Sequence, residues 1–280
     1  MQFNLIGSFE IVTDDGRTHA PKASKICQML AVLAFQPREA VASGVLIEEL
    51  WGDAAPNSAI RTLQTHVYHA RRMLDEVQAG DAPRRLLLTQ APGYRLDIAD
   101  DEVDIHVFER QVRRAQTELA AGSPERAAQH LDRARRLWRG PVLSNVPVAS
   151  VLNGRMAHLD ELRIRALELR VEIENRLGRY RELLPELRAL VNDHPLHEWF
   201  HGQLISALHR AGRRGEALQA YQNLYDVLDR ELGLEPSAEI QRLQAEVLGT
   251  NTLDAARLRP RHDTGLRTAV TPLWASGVAS

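Results

Sequence analysis

The chain has 280 residues, 44% hydrophobic and 26% charged, with a formal net charge of −2. That length suits about two domains of ordinary globular composition, and the balance excludes a global polycation, so any nucleic-acid surface must be local. Only Lys22 and Lys25 are lysines and the remaining basic residues are arginines, a bias that a GC-rich genome produces without functional cause. The single cysteine, Cys27, rules out a disulfide framework or a Cys-based zinc site within one chain. No secretory signal is visible at the N-terminus, and no apolar run approaches the roughly 18 residues that cross a membrane. A cytoplasmic protein is the expectation.

In chain order, residues 2–12 read as strand with a break at Gly7-Ser8, and Asp14-Asp15-Gly16 as a turn. Residues 22–35 predict a helix with Ile26, Met29, Leu30 and Leu33 inward, ended by Pro37. Ser43 is the expected cap of a second helix through Trp51, with Leu46, Ile47 and Leu50 inward. A turn over 52–57 leads to a third helix, capped by Asn57 or Ser58 and running to about Glu76. Its expected inward stripe is Ile60, Leu63, Val67, Ala70 and Leu74. Residues 86–89 and 94–98 predict two strands around an Ala91-Pro92-Gly93 tip. Three helices followed by a hairpin describe a winged helix-turn-helix.

The outward face of the third helix carries Arg61, Thr62, Gln64, Thr65, His66, Tyr68, His69, Arg71 and Arg72. Such a helix fits the major groove: arginine serves phosphate or guanine, glutamine can pair with adenine, and histidine can donate to phosphate. For an isolated helix a solvated polar face would be the simpler account; the ordered context favours DNA. Between Asn57 and Arg95, six arginines stand against Asp75, Glu76 and Asp81, while Glu39, Glu48, Glu49 and Asp53 lie upstream. The domain is expected to be dipolar, with DNA on its basic side and a protein partner possible on its acidic side.

From about Asp104 the chain is helical in pattern. Gly122, Gly178 and Gly212 each precede a small or apolar residue by five positions (Ala127, Leu183, Ala217) and an apolar one by nine (Leu131, Leu187, Tyr221). The last two glycines are 34 apart, the tetratricopeptide period, and imply stacked helix-turn-helix units. The match is partial: the last unit lacks the consensus tryptophan, and its closing proline comes late, at Pro236. Trp138-Arg139-Gly140-Pro141 opens an irregular stretch to about Ser150, and residues 250–280 read as a disordered tail.

These pieces resemble a known family. The N-terminal part is similar to OmpR/PhoB-type winged helices, and the chain over about 1–248 resembles the Streptomyces antibiotic regulatory proteins, the AfsR/DnrI/RedD family. The resemblance is carried by Arg61-Thr62-Leu63-Gln64-Thr65-His66-Val67, Arg71-Arg72-Met73-Leu74 and Gly93-Tyr94-Arg95-Leu96. Further on it is carried by Val103-Asp104-Ile105-His106-Val107-Phe108, Leu137-Trp138-Arg139-Gly140-Pro141, Gly215-Glu216-Ala217-Leu218-Gln219-Ala220-Tyr221 and Glu231-Leu232-Gly233-Leu234-Glu235-Pro236-Ser237. It implies a mainly α chain: a winged-helix (α+β) DNA-binding domain over 1–99 and an all-α, tetratricopeptide-like bacterial transcriptional activation domain over 104–248. It implies an activator of an antibiotic or other secondary-metabolite gene cluster. Such an activator binds direct repeats in double-stranded promoter DNA as a dimer and recruits RNA polymerase holoenzyme. By position, family DNA contacts fall on Arg61, Thr62, Thr65, His66, Tyr68, His69 and Arg71, with Gln64, Arg72, Gln90 and Arg95 as further DNA-facing candidates. Glu48, Glu49, Trp51 and Asp53, on the acidic second helix and the turn after it, mark the polymerase-facing surface. DNA-contacting members of the wider class often carry arginine where this chain has Tyr68, His69 and Gln90, so its base preference and the wing's minor-groove contact are expected to differ.

Enzymatic readings fare poorly. His197-Glu198-Trp199-Phe200-His201 has the spacing of a zinc-protease helix, with His194 nearby, but Pro195 separates His194 from the helix and no Gly-x-x-His follows. Plain helix-face histidines are the better account. His66 and His69 share a face with no third ligand. No lysine follows a glycine in a phosphate loop, and no receiver domain precedes the winged helix, so no ATPase and no phosphorylation switch of that kind is expected. No enzyme activity, cofactor or metal is expected. The competing readings are a repressor, and a tetratricopeptide scaffold whose winged helix binds protein.

Overall fold

The computed structural model describes residues 1–21, 23–78 and 84–249. The predicted tail over 250–280 and Lys22 lie outside them. The chain divides into two compact units, Met1–Leu183 and Leu184–Ser280. No helix among the described residues is long and apolar enough to cross a membrane.

The first unit opens with β1 (Gln2–Asn4), β2 (Glu10–Val12) and β3 (Thr18–His19), an antiparallel meander with Phe3 opposite Ile11 and Ile11 opposite His19. The run read as strand over 2–12 with a break at Gly7-Ser8 folds back on itself about that break, where Gly7 has a φ of +104°. The short β3 has too little pattern to be seen in the sequence. Then come α1 (Ser24–Ala34), β4 (Ala40–Ala42), α2 (Ser43–Trp51), α3 (Ala59–Val77), β5 (Leu87–Gln90) and β6 (Gly93–Leu96). Met29, Leu30, Leu33, Leu46, Leu50, Leu63, Val67, Ala70 and Leu74 are buried, as their helical spacing predicts.

Three details differ from the sequence reading. Ser43 is the first helical residue of α2, not its cap; its amide and hydroxyl both donate to the Pro92 carbonyl. No side-chain cap forms at Ser58. Ile60 does not point inward: Ala59 takes the buried position and Ile60 is 63% exposed. β4, an Ala-Val-Ala strand too short to announce itself, adds to the hairpin to give the order β4-β6-β5. At its crossing with β6, Gly93 is indispensable, since a Cβ there would lie 2.0 Å from the Val41 carbonyl oxygen.

α4 (Asp104–Ala120), α5 (Pro124–Leu137) and α6 (Ser150–Arg176) complete this unit, and α7 (Tyr180–Asp193) runs across the boundary. In the second unit, α8 (Glu198–Arg210), α9 (Arg214–Leu232) and α10 (Ala238–Leu248) pack together. Gly122, Gly178 and Gly212 all stand at φ between +73° and +77°. Each makes the same closure: its amide bonds back three residues (Leu119, Asn175, His209) and the next amide bonds back five (Glu118, Glu174, Leu208). That is the Schellman motif, which satisfies the last carbonyls of the preceding helix. The residues five and nine positions later are buried in all three cases, as the repeat predicts.

Two buried carboxylates join the winged helix to the helices that follow it within the first unit. Glu49, 1% exposed on α2, accepts from the amides of Ala149 (2.7 Å), Val151 (2.9 Å) and Leu152 (3.1 Å) at the start of α6. It also accepts from the Gln28 side-chain amide of α1 at 3.1 Å. A helix N-terminus offers orphan donors and a partial positive charge, so a carboxylate is well matched there. Asp104, at the start of α4, accepts from the amides of Leu5 (2.8 Å) and Ile6 (3.0 Å) and from the Arg139 guanidinium (2.5 Å). Burial pushes the Asp104 carboxyl above the usual aspartate range, opposed by those two amides and Arg139. The irregular segment 138–149 continues the joint: the Leu143 and Ser144 amides donate to the Leu5 and Gly7 carbonyls, and Asn145 pairs with both backbone groups of Phe9. Trp138 packs on Phe108 with ring centroids 5.2 Å apart, under the Arg163 guanidinium at 4.7 Å. The sequence segments 103–108 and 137–141 are thus two halves of one contact.

Gly93→Ala should destabilise the chain by about 3 kcal/mol or more, because the clash is with backbone. Glu49→Ala should cost about 2–4 kcal/mol by stripping three helix-end amides of their acceptor, with Glu49→Gln intermediate. Urea denaturation of both series checks these values.

Candidate nucleic-acid interface

α3 presents a polar outer face because its apolar positions recur with helical period on one side only. Arg61, Gln64, Thr65, Tyr68, His69 and Arg72 are exposed on it, and Thr62, His66 and Arg71 flank them half-buried. The structure therefore gathers all nine helix residues singled out in the sequence onto one surface, but with unequal freedom. Thr62 and Thr65 spend their hydroxyl hydrogens on the Ser58 and Arg61 carbonyls (3.2 and 3.1 Å), leaving oxygen lone pairs outward. Arg72 pairs with Glu76 at 2.9 Å. Arg71 is a brace: its Nε donates to the Leu87 carbonyl and an Nη to the Thr89 hydroxyl, both at 2.8 Å, holding β5 of the wing against α3. Among the described residues, Arg61 is the guanidinium of this helix that keeps its donors unspent.

The aromatic residues of this face form pairs. Tyr68, 61% exposed, meets His69 edge-on with centroids 5.4 Å apart. His66 stacks on Trp51 with centroids 5.9 Å apart, and the Lys25 ammonium lies over the Trp51 ring, 5.9 Å from its centroid, while donating to the Leu50 carbonyl. Trp51 is thereby tied to the middle of α3 through His66. Burial, with positive charge from His69 and Lys25, holds the His66 imidazole below its ordinary pKa. Lys25 carried no signal in the sequence, since its helix reads as core.

Elsewhere the positions divide. Gln90 is exposed at the wing tip. Arg95 is not at the tip: it is half-buried in β6 opposite Ala40, with an Nη 3.7 Å from Asp97. Glu48 and Asp53 are exposed beside α2 and Trp51 is half-buried, but Glu49 faces inward and caps α6, so its carboxylate is not available to a partner. In the second unit, His197 precedes α8 instead of sharing it with His201, and the His201 ring is buried with its Nε2 3.0 Å from the Pro195 carbonyl. Glu198 accepts from the Ser237 amide at 2.7 Å at the head of α10, which gives the zinc-like string a structural explanation.

A winged helix followed by stacked helical units is the build of a transcriptional regulator, and comparison with known proteins agrees. The "Transcriptional regulatory protein, C terminal" family matches residues 19–96, and the "Bacterial transcriptional activator domain" family matches residues 103–248. The regulatory protein DnrI of Streptomyces peucetius is 38% identical over 252 residues, covering 89% of this chain and 92% of that protein. The transcriptional regulator RedD of Streptomyces coelicolor is 33% identical over 248 residues, covering 89% and 70%. Among solved structures, Mycobacterium tuberculosis EmbR in complex with a low-affinity phosphopeptide superposes with a TM-score of 0.82 at 32% identity, covering 91% of this chain and 67% of that one. The chain belongs to the Streptomyces antibiotic regulatory protein family.

The depressed His66 pKa has a signed consequence. The unfolded chain, with histidine near 6.5, takes up a proton before the folded chain does. The stability that neutral His66 carries is complete above pH 6.5 and is lost as pH falls through the folded value. His66→Gln should therefore lose less stability than the wild type on acidification toward about pH 5, in the difference between their urea midpoints.

Proposed function

We propose that this protein is a sequence-specific DNA-binding activator of a secondary-metabolite gene cluster, with α3 seated in the major groove of promoter DNA. The observation that supports this best is the outer face of α3: Arg61, Gln64, Thr65 and His69 point outward together, and Arg71 braces the wing beside them. Arg61 serves phosphate; Gln64 and His69 reach base edges. Two protomers lie head to tail on direct repeats about one helical turn apart. The exposed Glu48 and Asp53, with Trp51 behind them, face RNA polymerase holoenzyme. The kinship with DnrI and RedD, both named as regulators, supports the regulatory class.

Fluorescence-anisotropy titration of promoter fragments flanking the gene, against shuffled duplexes and across a salt series, tests this reading. One fragment should bind more tightly than its shuffled control and should support transcription by RNA polymerase holoenzyme. Repression in that assay would reverse the sign of regulation, and equal, salt-insensitive binding to every duplex would favour a protein-binding scaffold. Each phosphate contact contributes a slope of about −0.9 to log affinity against log salt. Arg61→Ala should flatten the slope by about that amount on every sequence. Glu76→Gln, which releases Arg72 from its ion pair, should steepen it.

A further inference from the structure

Large apolar side chains exposed in the first unit are confined, among the described residues, to Ile60 at 63% and Tyr68 at 61%. Both belong to α3. They are eight residues apart with Gln64 midway, so the three form one stripe along the helix at i, i+4 and i+8. The helix had a buried alternative for its first turn and uses it: Ala59 is inside and Ile60 is out. Single exposed apolar residues need no explanation. Two of them, confined to the stripe that carries the adenine-pairing candidate Gln64, do.

Resting on the proposal that α3 lies in the major groove, we infer that the Ile60–Gln64–Tyr68 stripe reads thymine, with Ile60 and the Tyr68 ring packing against thymine 5-methyl groups. The major groove displays one apolar group of its own, the methyl at C5 of thymine, and apolar side chains recognise it by contact. The cations on the helix fit this division of labour. Arg71 spends two donors on the wing and Arg72 one on Glu76, which leaves Arg61 as the guanidinium of this helix with every donor unspent among the described residues. Arg61 is therefore the least committed arginine of this helix for guanine or phosphate, and apolar contact and the Gln64 amide add a separate means of discrimination. The edge-on packing against His69, at 5.4 Å, gives the Tyr68 ring a fixed neighbour from which to present its face.

The test uses the full chain and a duplex that it selects from a randomised pool. Each thymine of that duplex is replaced singly by deoxyuridine, which deletes the 5-methyl and leaves every hydrogen-bonding group in place. One buried methyl is worth roughly a fourfold change in affinity. The wild type should lose about that factor at one or more positions. Ile60→Ala or Tyr68→Ala should bind thymine and deoxyuridine equally at those positions, while Ile60→Val and Tyr68→Phe should keep the distinction. Both positions are exposed, so the fold is not at stake, and circular dichroism verifies it. Indifference of the wild type to every replacement overturns the inference, and so does discrimination that survives in both alanine variants, because another residue then reads the methyl. Failure to select any duplex over the random pool refutes the DNA-reading proposal itself, a different result from selection without methyl dependence.

Discussion

The Glu49 carboxylate at the head of α6 is the contact on which the first unit turns. A helix of 27 residues begins where its first amides have no partner within the helix, and the acceptor comes from α2 in a different part of the chain. The same side chain holds Gln28 of α1, so three helices share one buried anion. Exchange of Glu49 for an apolar group would leave its donors unsatisfied in a buried site, where the loss exceeds the net value of the bonds. Asp104 repeats the device for the N-terminal sheet. Its position at the start of α4 explains why segments 103–108 and 137–141 travel together: Arg139 answers the charge, and Trp138 and Phe108 close the apolar side.

On the outer face of α3 the constraint is economy of charge. Six arginines between Asn57 and Arg95 suggest a strongly basic surface when counted in the sequence. In the folded chain Arg72, Arg84 and Arg95 stand beside Glu76, Glu102 and Asp97, and Arg71 is an internal strut. Surface pairs of this kind contribute little to stability, but they neutralise local potential. The helix is left with Arg61 uncommitted, Arg72 partly neutralised by Glu76, and a strip of apolar and aromatic groups beside them.

The sequence was most legible where periodicity is long. The buried stripes of α1 and α3, the wing hairpin and the three glycine closures at Gly122, Gly178 and Gly212 all follow from spacing that needs no tertiary information. It was least legible where two distant segments share one element. β4 is three residues of small side chains stabilised by β6, and Ser43 resembles a cap until the Pro92 carbonyl is seen to claim it. Ile60 and Glu49 were misread for the same reason. A residue at the edge of an apolar stripe is placed by the turn that precedes the helix, and a glutamate on a charged helix looks solvated until an amide cluster from another part of the chain is brought to it. The nine outward residues of α3 could be read from the helix alone; which of them are free to bind could not, because Glu76, Thr89 and Trp51 decide that.

The position of the joint also determines how the chain can be cut. A fragment that stopped after the wing would retain the amides of Leu5, Ile6 and Phe9 and the carboxylate of Glu49, but would lose Asp104, Asn145 and the head of α6 that satisfy them. All of these partners lie within the compact unit Met1–Leu183. A graft of this winged helix onto another effector would have to carry α4 through α6 with it, so the transferable part of the molecule is larger than its DNA-facing surface.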